Sequence, residues 1–267
     1  MATRRIVALG GHEFRSRPSE LAVVEHLLGL VDSARPKICL LPTASGDPQQ
    51  QISDFHSVMS RFECEPTHLS LFRLEHNGLN PRDHLLAQDV VYVAGGSMLN
   101  LLAIWRAHGL PAIMLEAREA GVVLAGQSAG AMCWFEQGIT ASSGSPRAAP
   151  GLGLLKGSLC VHYERNPDRR SAYLTAVGQG LPGGFALDDG AGLLFEDESP
   201  VEAFAGRQGA RVLRVASEAA EAQEMELHPN PLRYEMGTLE DLSISELRQL
   251  RRSVLAAGSR RAAVRVR

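Results

Sequence analysis

Hydrophobic residues along this chain fall into short runs of strand length that alternate with stretches of helical spacing. The first run, residues 5–9, ends at Gly10-Gly11, and Leu21, Val24, Leu27, Leu28 and Val31 then recur at helical intervals. A second run, Ile38-Cys39-Leu40-Leu41, is broken by Pro42 and a small polar loop. The pattern continues with a helix over 48–62, a strand over 67–72 and a strand over 89–94 that stops at Gly95-Gly96. Ser97 is placed to cap the next helix, which carries Leu99, Leu102, Ile104 and Trp105, and Pro111 opens another. Alternation of this kind predicts an α/β fold, a three-layer αβα sandwich around a mostly parallel sheet.

Beyond residue 150 the runs shorten, at 158–161, 185–187, 192–195 and 201–204, which reads as the antiparallel edge of a mixed sheet. From Ser217 the chain turns polar. An amphipathic helix is predicted over 243–255, followed by an end carrying Arg260, Arg261, Arg265 and Arg267. The expected organisation is therefore one α/β domain over 1–216 and a C-terminal extension over 217–267, helical with a basic, partly disordered end.

Composition narrows the function only by exclusion. At 267 residues the chain can bury a full α/β core, and a formal charge of -3 gives no general attraction to nucleic acid. No basic-then-apolar leader opens it and no run of about 18 apolar residues occurs, so a cytoplasmic protein that does not engage membranes is expected. Cys39, Cys64, Cys133 and Cys160 are scattered without a C-x-x-C pair, and each reads as a small core hydrophobe. No metal or organic cofactor is called for.

The candidate chemistry centres on Gly126-Gln127-Ser128-Ala129-Gly130. An apolar run, Gly121-Val122-Val123-Leu124-Ala125, leads into it and Ala131-Met132-Cys133-Trp134-Phe135 can begin a helix behind it. A serine between glycines at a strand-to-helix turn is the pattern of a nucleophile elbow: the turn needs small neighbours, and the first helical amides then face whatever the serine attacks. Such a serine needs a base, an acid to orient the base, and oxyanion donors. His162, at the end of the run 159–161, is one candidate base, and His228, in a proline-rich turn, is the other. Asp188 and Asp189, at the end of the run 185–187, are the candidate acids.

Four segments carry a family resemblance: Gly126-Gln127-Ser128-Ala129-Gly130-Ala131, the strand end Ala94-Gly95-Gly96-Ser97-Met98-Leu99-Asn100-Leu101-Leu102, the pair His162-Tyr163, and Leu187-Asp188-Asp189-Gly190. They occur in the order seen in the peptidase E and cyanophycinase family of serine hydrolases, which the chain resembles from about residue 4 to about residue 215. The resemblance implies a sheet like that of class I glutamine amidotransferases, with serine in the elbow where those enzymes carry cysteine. It makes Ser128 the nucleophile, His162 its base, and the amides of Ala129 and Gly96 the oxyanion donors. The family's acid, normally glutamate, falls on Asp189, one methylene shorter, with Asp188 as the alternative.

The implied activity is hydrolysis of short peptides, dipeptidase-like, through an acyl-enzyme, with a preference for an N-terminal acidic residue. Arg165, Arg169 and Arg170 follow the histidine and are candidates to read a substrate carboxylate. A small peptide substrate and a homodimer are the expected partners. Three rival readings stay open: a cyanophycinase-like isopeptide hydrolase, an α/β-hydrolase esterase using His228, and an inactive binding protein on the same fold.

Overall fold

A computed structural model describes residues 3–234. The elements follow in order: β1 (Arg5–Leu9), α1 (Pro18–Leu28), β2 (Lys37–Leu41), α2 (Gln49–Met59), β3 (Glu65–His68), α3 (Leu74–Asn77), α4 (Pro81–Leu86) and β4 (Val90–Val93). Then come α5 (Met98–Ala107), α6 (Leu110–Glu119), β5 (Val123–Gln127), α7 (Ala129–Met132), β6 (Phe135–Thr140), β7 (Arg147–Pro150) and β8 (Leu155–Val161). The last are α8 (Pro167–Gly178), β9 (Gly184–Leu187), β10 (Ala191–Glu196), β11 (Ser199–Ala205), β12 (Val212–Glu218), β13 (Glu221–Leu227) and β14 (Asn230–Pro231).

The eight-stranded sheet runs β14-β11-β10-β1-β5-β4-β2-β3. Its β1, β5, β4, β2 and β3 are parallel, which the helical crossovers demand, and β10 joins β1 antiparallel. Of these, β1, β2, β4 and β5 are buried almost throughout, as expected for a sheet covered on both faces, and β3 is the partly exposed edge. Register decides what meets at the carboxyl edge. Leu9 pairs with Gln127 and Val93 with Gly126, so the loops after β1, β4 and β5 emerge side by side.

A second sheet is the main departure from the sequence reading. Six strands, in the order β13-β12-β9-β8-β6-β7, form a separate layer instead of an edge of the first sheet. Only β10 and β11 extend the first sheet in the antiparallel manner expected. The apolar run 131–135 reads equally well as helix or strand. In the fold it is divided: α7 is a single turn, and the chain then enters β6, the first strand of the second sheet. The two sheets share one core, in which Phe135 and Phe185 each pack on Phe195 at a ring separation of 5.6 Å. A smaller cluster, including Cys160, Tyr163, Tyr173, Val177 and Val215, seats α8 on the outer face of the second sheet.

The boundary expected at residue 216 falls inside β12, and β13 and β14 continue the fold; residues up to Arg233 form one compact unit. The predicted helix over 243–255 and the arginine-rich end lie outside the described residues. All four cysteines are buried and free. Among the described residues, no single helix is long and apolar enough to cross a membrane.

Candidate active site

Ser128 sits between β5 and α7 with φ 54° and ψ −115°, a backbone conformation that a non-glycine residue adopts only at a cost of about 1–3 kcal/mol. Hydrogen bonds on either side hold it there. Its amide donates to the Leu9 carbonyl at 3.1 Å, and its carbonyl accepts from the amides of Ala131 at 3.0 Å and Met132 at 2.9 Å. The flanking glycines are required by contact. A Cβ on Gly126 would lie 2.2 Å from the Gly130 carbonyl oxygen, and one on Gly130 would lie 2.2 Å from that of Val93. The turn is thus wedged between β5 and β4, and the serine side chain is pushed outward at the carboxyl edge.

The second sheet supplies the partners. β8 and β9 are parallel neighbours with Val161 opposite Leu187, so the residues following them, His162 and Asp188-Asp189, leave the sheet together. His162 Nε2 lies 2.8 Å from Ser128 Oγ, and His162 Nδ1 lies 2.5 Å from Asp189 Oδ1. A carboxylate can only accept, so the proton belongs on Nδ1, leaving Nε2 to accept from the serine hydroxyl. Burial pushes the Asp189 carboxyl up, but hydrogen bonds from His162 and Arg165 outweigh it and hold the group down at about 2. Asp189 is therefore an anion at neutral pH.

The adjacent aspartate is committed elsewhere. Asp188 is fully buried, accepting from Arg211 Nε at 2.8 Å and from the Arg211 amide at 3.0 Å. His228 is exposed between β13 and β14, and the described contacts of Ser128 do not include it.

Of the three arginines singled out in the sequence, the structure brings one to the site. Arg165 donates to Asp189 Oδ2 at 2.6 Å and lines the cavity beside His162. Arg169 turns inward instead, donating to the Val161 carbonyl at 3.1 Å, and burial lowers its pKa. Arg170 pairs with Glu224 and lies over the Tyr163 ring. The reason is helical geometry: Asn166 caps α8 by accepting from the Arg169 amide, which points positions 169 and 170 at the second sheet.

The cavity measures about 440 Å³ and its lining includes Gln127, His162, Arg165, Asp189, Glu20 and Arg207. The wall from the loop after β1 was missed in the sequence reading, although Gly10-Gly11 marked that loop as ending at the same edge. His12 there is buried, with Nε2 against the Glu20 carbonyl and Nδ1 at 3.1 Å from the Tyr92 hydroxyl. Burial pushes it down to about 4, so it is neutral at physiological pH. Gln127 Oε1 accepts from the His12 amide at 3.3 Å, joining that loop to the serine turn. Arg207 donates to the Asp189 carbonyl at 2.8 Å and pairs with Glu164.

Gly96 has φ 148°, and a Cβ there would lie 2.3 Å from the Ala44 carbonyl oxygen. The backbone is pinned by the Ser97 amide, which donates to that same carbonyl at 2.8 Å. Among the described residues, neither the Gly96 nor the Ala129 amide has a hydrogen-bond partner.

Residues 6–202 match the model of peptidase family S51. The chain belongs to this family. As an S51 member it is a serine peptidase of the peptidase E and cyanophycinase type. It is 40% identical over 232 residues to an uncharacterized peptidase, YgaJ, from Bacillus subtilis (strain 168), covering 86% of this chain and 99% of that one. Two solved structures share the fold. One is a peptidase from an acI-B1 Actinobacterium, with a TM-score of 0.64 at 17% identity over 87% of this chain and 97% of that one. The other is a Listeria monocytogenes EGD-e protein assigned to peptidase E, with a TM-score of 0.56 at 15% identity over 75% and 98% of the two chains. The S51 match places Ser128, His162 and Asp189 within the matched segment and leaves His228 beyond it.

Proposed function

We propose that this S51 peptidase hydrolyses short peptides, dipeptides among them, with Ser128 as nucleophile, His162 as general base and Asp189 as the orienting acid. The observation that carries the reading is the unbroken series of hydrogen bonds from Ser128 Oγ through the imidazole to Asp189 at the wall of one cavity. His162 takes the serine proton as Oγ attacks the amide carbonyl; the Ala129 and Gly96 amides receive the oxyanion; His162 then protonates the leaving amine and water clears the acyl-enzyme. Two donors without other partners suit that task, and losing one such donor typically costs on the order of a hundred- to a thousandfold in rate.

The substrate is small. A cavity of about 440 Å³ accommodates a few residues rather than a folded chain. Arg165 at its wall favours an acidic side chain at the N-terminal position, through a charge-assisted contact. Labelling with a fluorophosphonate, together with a panel of dipeptides, simple esters and cyanophycin, tests the reading. Label on Ser128 with dipeptide turnover is the expected result; turnover of esters or of the polymer alone would overturn it.

A further inference from the structure

The arginines around the site divide by what they hold. Arg211 is fixed on Asp188, Arg170 on Glu224, Arg169 on the Val161 carbonyl, and Arg207 on Glu164 and the Asp189 carbonyl. Arg165 instead holds the carboxylate that also serves His162. Asp189 gives Oδ1 to the imidazole at 2.5 Å and Oδ2 to the guanidinium at 2.6 Å. The Arg165 side chain is 73% exposed, against 17% for Asp189. One of its five N–H donors is used on Asp189, so donors remain for a ligand in the cavity that both residues line.

Arg165 is the exposed member of the pair, so water screens its guanidinium and weakens its hold on Asp189. A substrate carboxylate met bidentately in a partly desolvated cavity makes stronger, charge-assisted contacts. Exchange of Asp189 for a substrate carboxylate uses donors that the guanidinium already presents to the cavity. It also has a chemical consequence. While Arg165 sits on Oδ2, its positive charge stabilises the Asp189 anion and opposes the imidazolium that must form at His162 during attack. Once Arg165 has moved to the substrate, that opposition is relieved.

We infer that Arg165 is a specificity-determining residue whose release from Asp189 by a substrate carboxylate strengthens His162 as a base, so that an acidic substrate is both bound and activated for by the same side chain. The inference rests on the proposed roles of Ser128, His162 and Asp189; an acidic preference belongs to that reading, and the coupling to Asp189 is what Arg165 adds. The other charged groups facing this pair are Glu164 and Arg207 beside it, Glu13, Arg17, Glu20 and neutral His12 across the cavity, and Arg169 behind it on α8. They are common to every comparison below.

The test uses the full-length protein and its Arg165→Ala and Arg165→Lys variants, with aspartyl and asparaginyl anilides, which differ in charge and scarcely in shape. In the wild type the aspartyl substrate is favoured by roughly tenfold or more in kcat/KM, and the acid limb of its kcat profile lies at higher pH than that of the asparaginyl substrate. In Arg165→Ala the ratio falls to near one and the two limbs coincide, with partial recovery in Arg165→Lys. An arginine that merely props Asp189 would lower kcat for both substrates and preserve the ratio; that result overturns the inference, as do limbs that already coincide in the wild type. If Ser128 labels with a fluorophosphonate but neither the anilides nor the dipeptide panel turn over, the proposed function fails, and the labelling rate with and without succinate then decides the coupling: a succinate effect lost in Arg165→Ala supports it, and no effect in the wild type overturns it. Absence of labelling as well as turnover removes both.

Discussion

Asp188 and Asp189 are consecutive in the chain and face opposite ways: Asp188 is buried against Arg211, and Asp189 is turned toward His162 and the cavity. The same conservative change should therefore have two different effects. Asp189→Asn is expected to lower kcat on the order of ten-thousandfold with the fold intact, because the amide favours the wrong imidazole tautomer. Asp188→Asn is expected to destabilise the protein by about 2–3 kcal/mol, since it leaves Arg211 without its buried charge partner, while the folded fraction keeps its activity. Steady-state kinetics beside urea titrations of both variants read the difference.

Histidine substitutions separate the two orders of serine, acid and base. His162→Ala should be inactive and His228→Ala near normal, because His162 contacts Ser128 Oγ and His228 is exposed between β13 and β14. Parallel assays with one peptide substrate suffice; the reverse pattern would move the chain to an esterase-type arrangement.

Two substitutions of the serine should differ in stability although both abolish turnover. Ser128→Ala is expected to lose roughly a millionfold in rate, as when a triad serine is removed, and to keep wild-type stability within about 1 kcal/mol. Ser128→Gly relieves a backbone held at φ 54° and ψ −115°. Set against the entropy glycine loses on folding, it should raise stability by about 1–2 kcal/mol. A denaturation midpoint for Ser128→Gly at or below that of Ser128→Ala would contradict the strain argument.

Acid stability should be governed in part by His12, which burial pushes down to about 4 from an ordinary value of 6.5. Between those two values the unfolded chain binds a proton that the folded chain excludes, so stability falls as pH drops through that window. The linkage amounts to about 3 kcal/mol between neutral pH and pH 4. Chemical denaturation at pH 7.5 and 4.5 should show this loss in the wild type and a flatter dependence in His12→Gln. The linkage of Asp189 has the other range: its depressed pKa gives stability that disappears only as pH falls from its unfolded value toward about 2.

Much of the first sheet was legible because β1, β2 and β4 are buried on both faces and stop at Gly10-Gly11, Pro42 and Gly95-Gly96. Ser128, His162, Asp188 and Asp189 stood out as candidates because each lies just after a strand, and strand ends are where side chains converge at a sheet edge; the choice of His162 and Asp189 came from the family resemblance. The second sheet was only partly legible: the runs that became β8 and β9 were read as strands, but as an edge of the first sheet. β13, Glu221–Leu227, is an edge strand with one face to solvent, so its sequence reads as polar extension, and the expected boundary cut β12 where its last residues, Ser217 and Glu218, become exposed. Which aspartate meets the histidine depends on Arg211, 23 residues from Asp188 and brought beside it only by the pairing of β12 with β9. The fates of Arg169 and Arg170 turned on the rotation of α8, which one cap residue, Asn166, sets.

Ser128 follows a strand of the first sheet, whereas His162 and Asp189 follow strands of the second. The hydrogen bond between Ser128 and His162 therefore spans a seam between the two sheets, whose shared core holds the interlocked Phe135, Phe185 and Phe195 rings. On the proposed mechanism turnover becomes a gauge of that seam: a slip of about 1 Å of one layer on the other would cost on the order of a hundredfold in rate while each sheet stayed folded. Mutations in those rings, far from any substrate, should accordingly surface first as lost turnover and only later as lost structure.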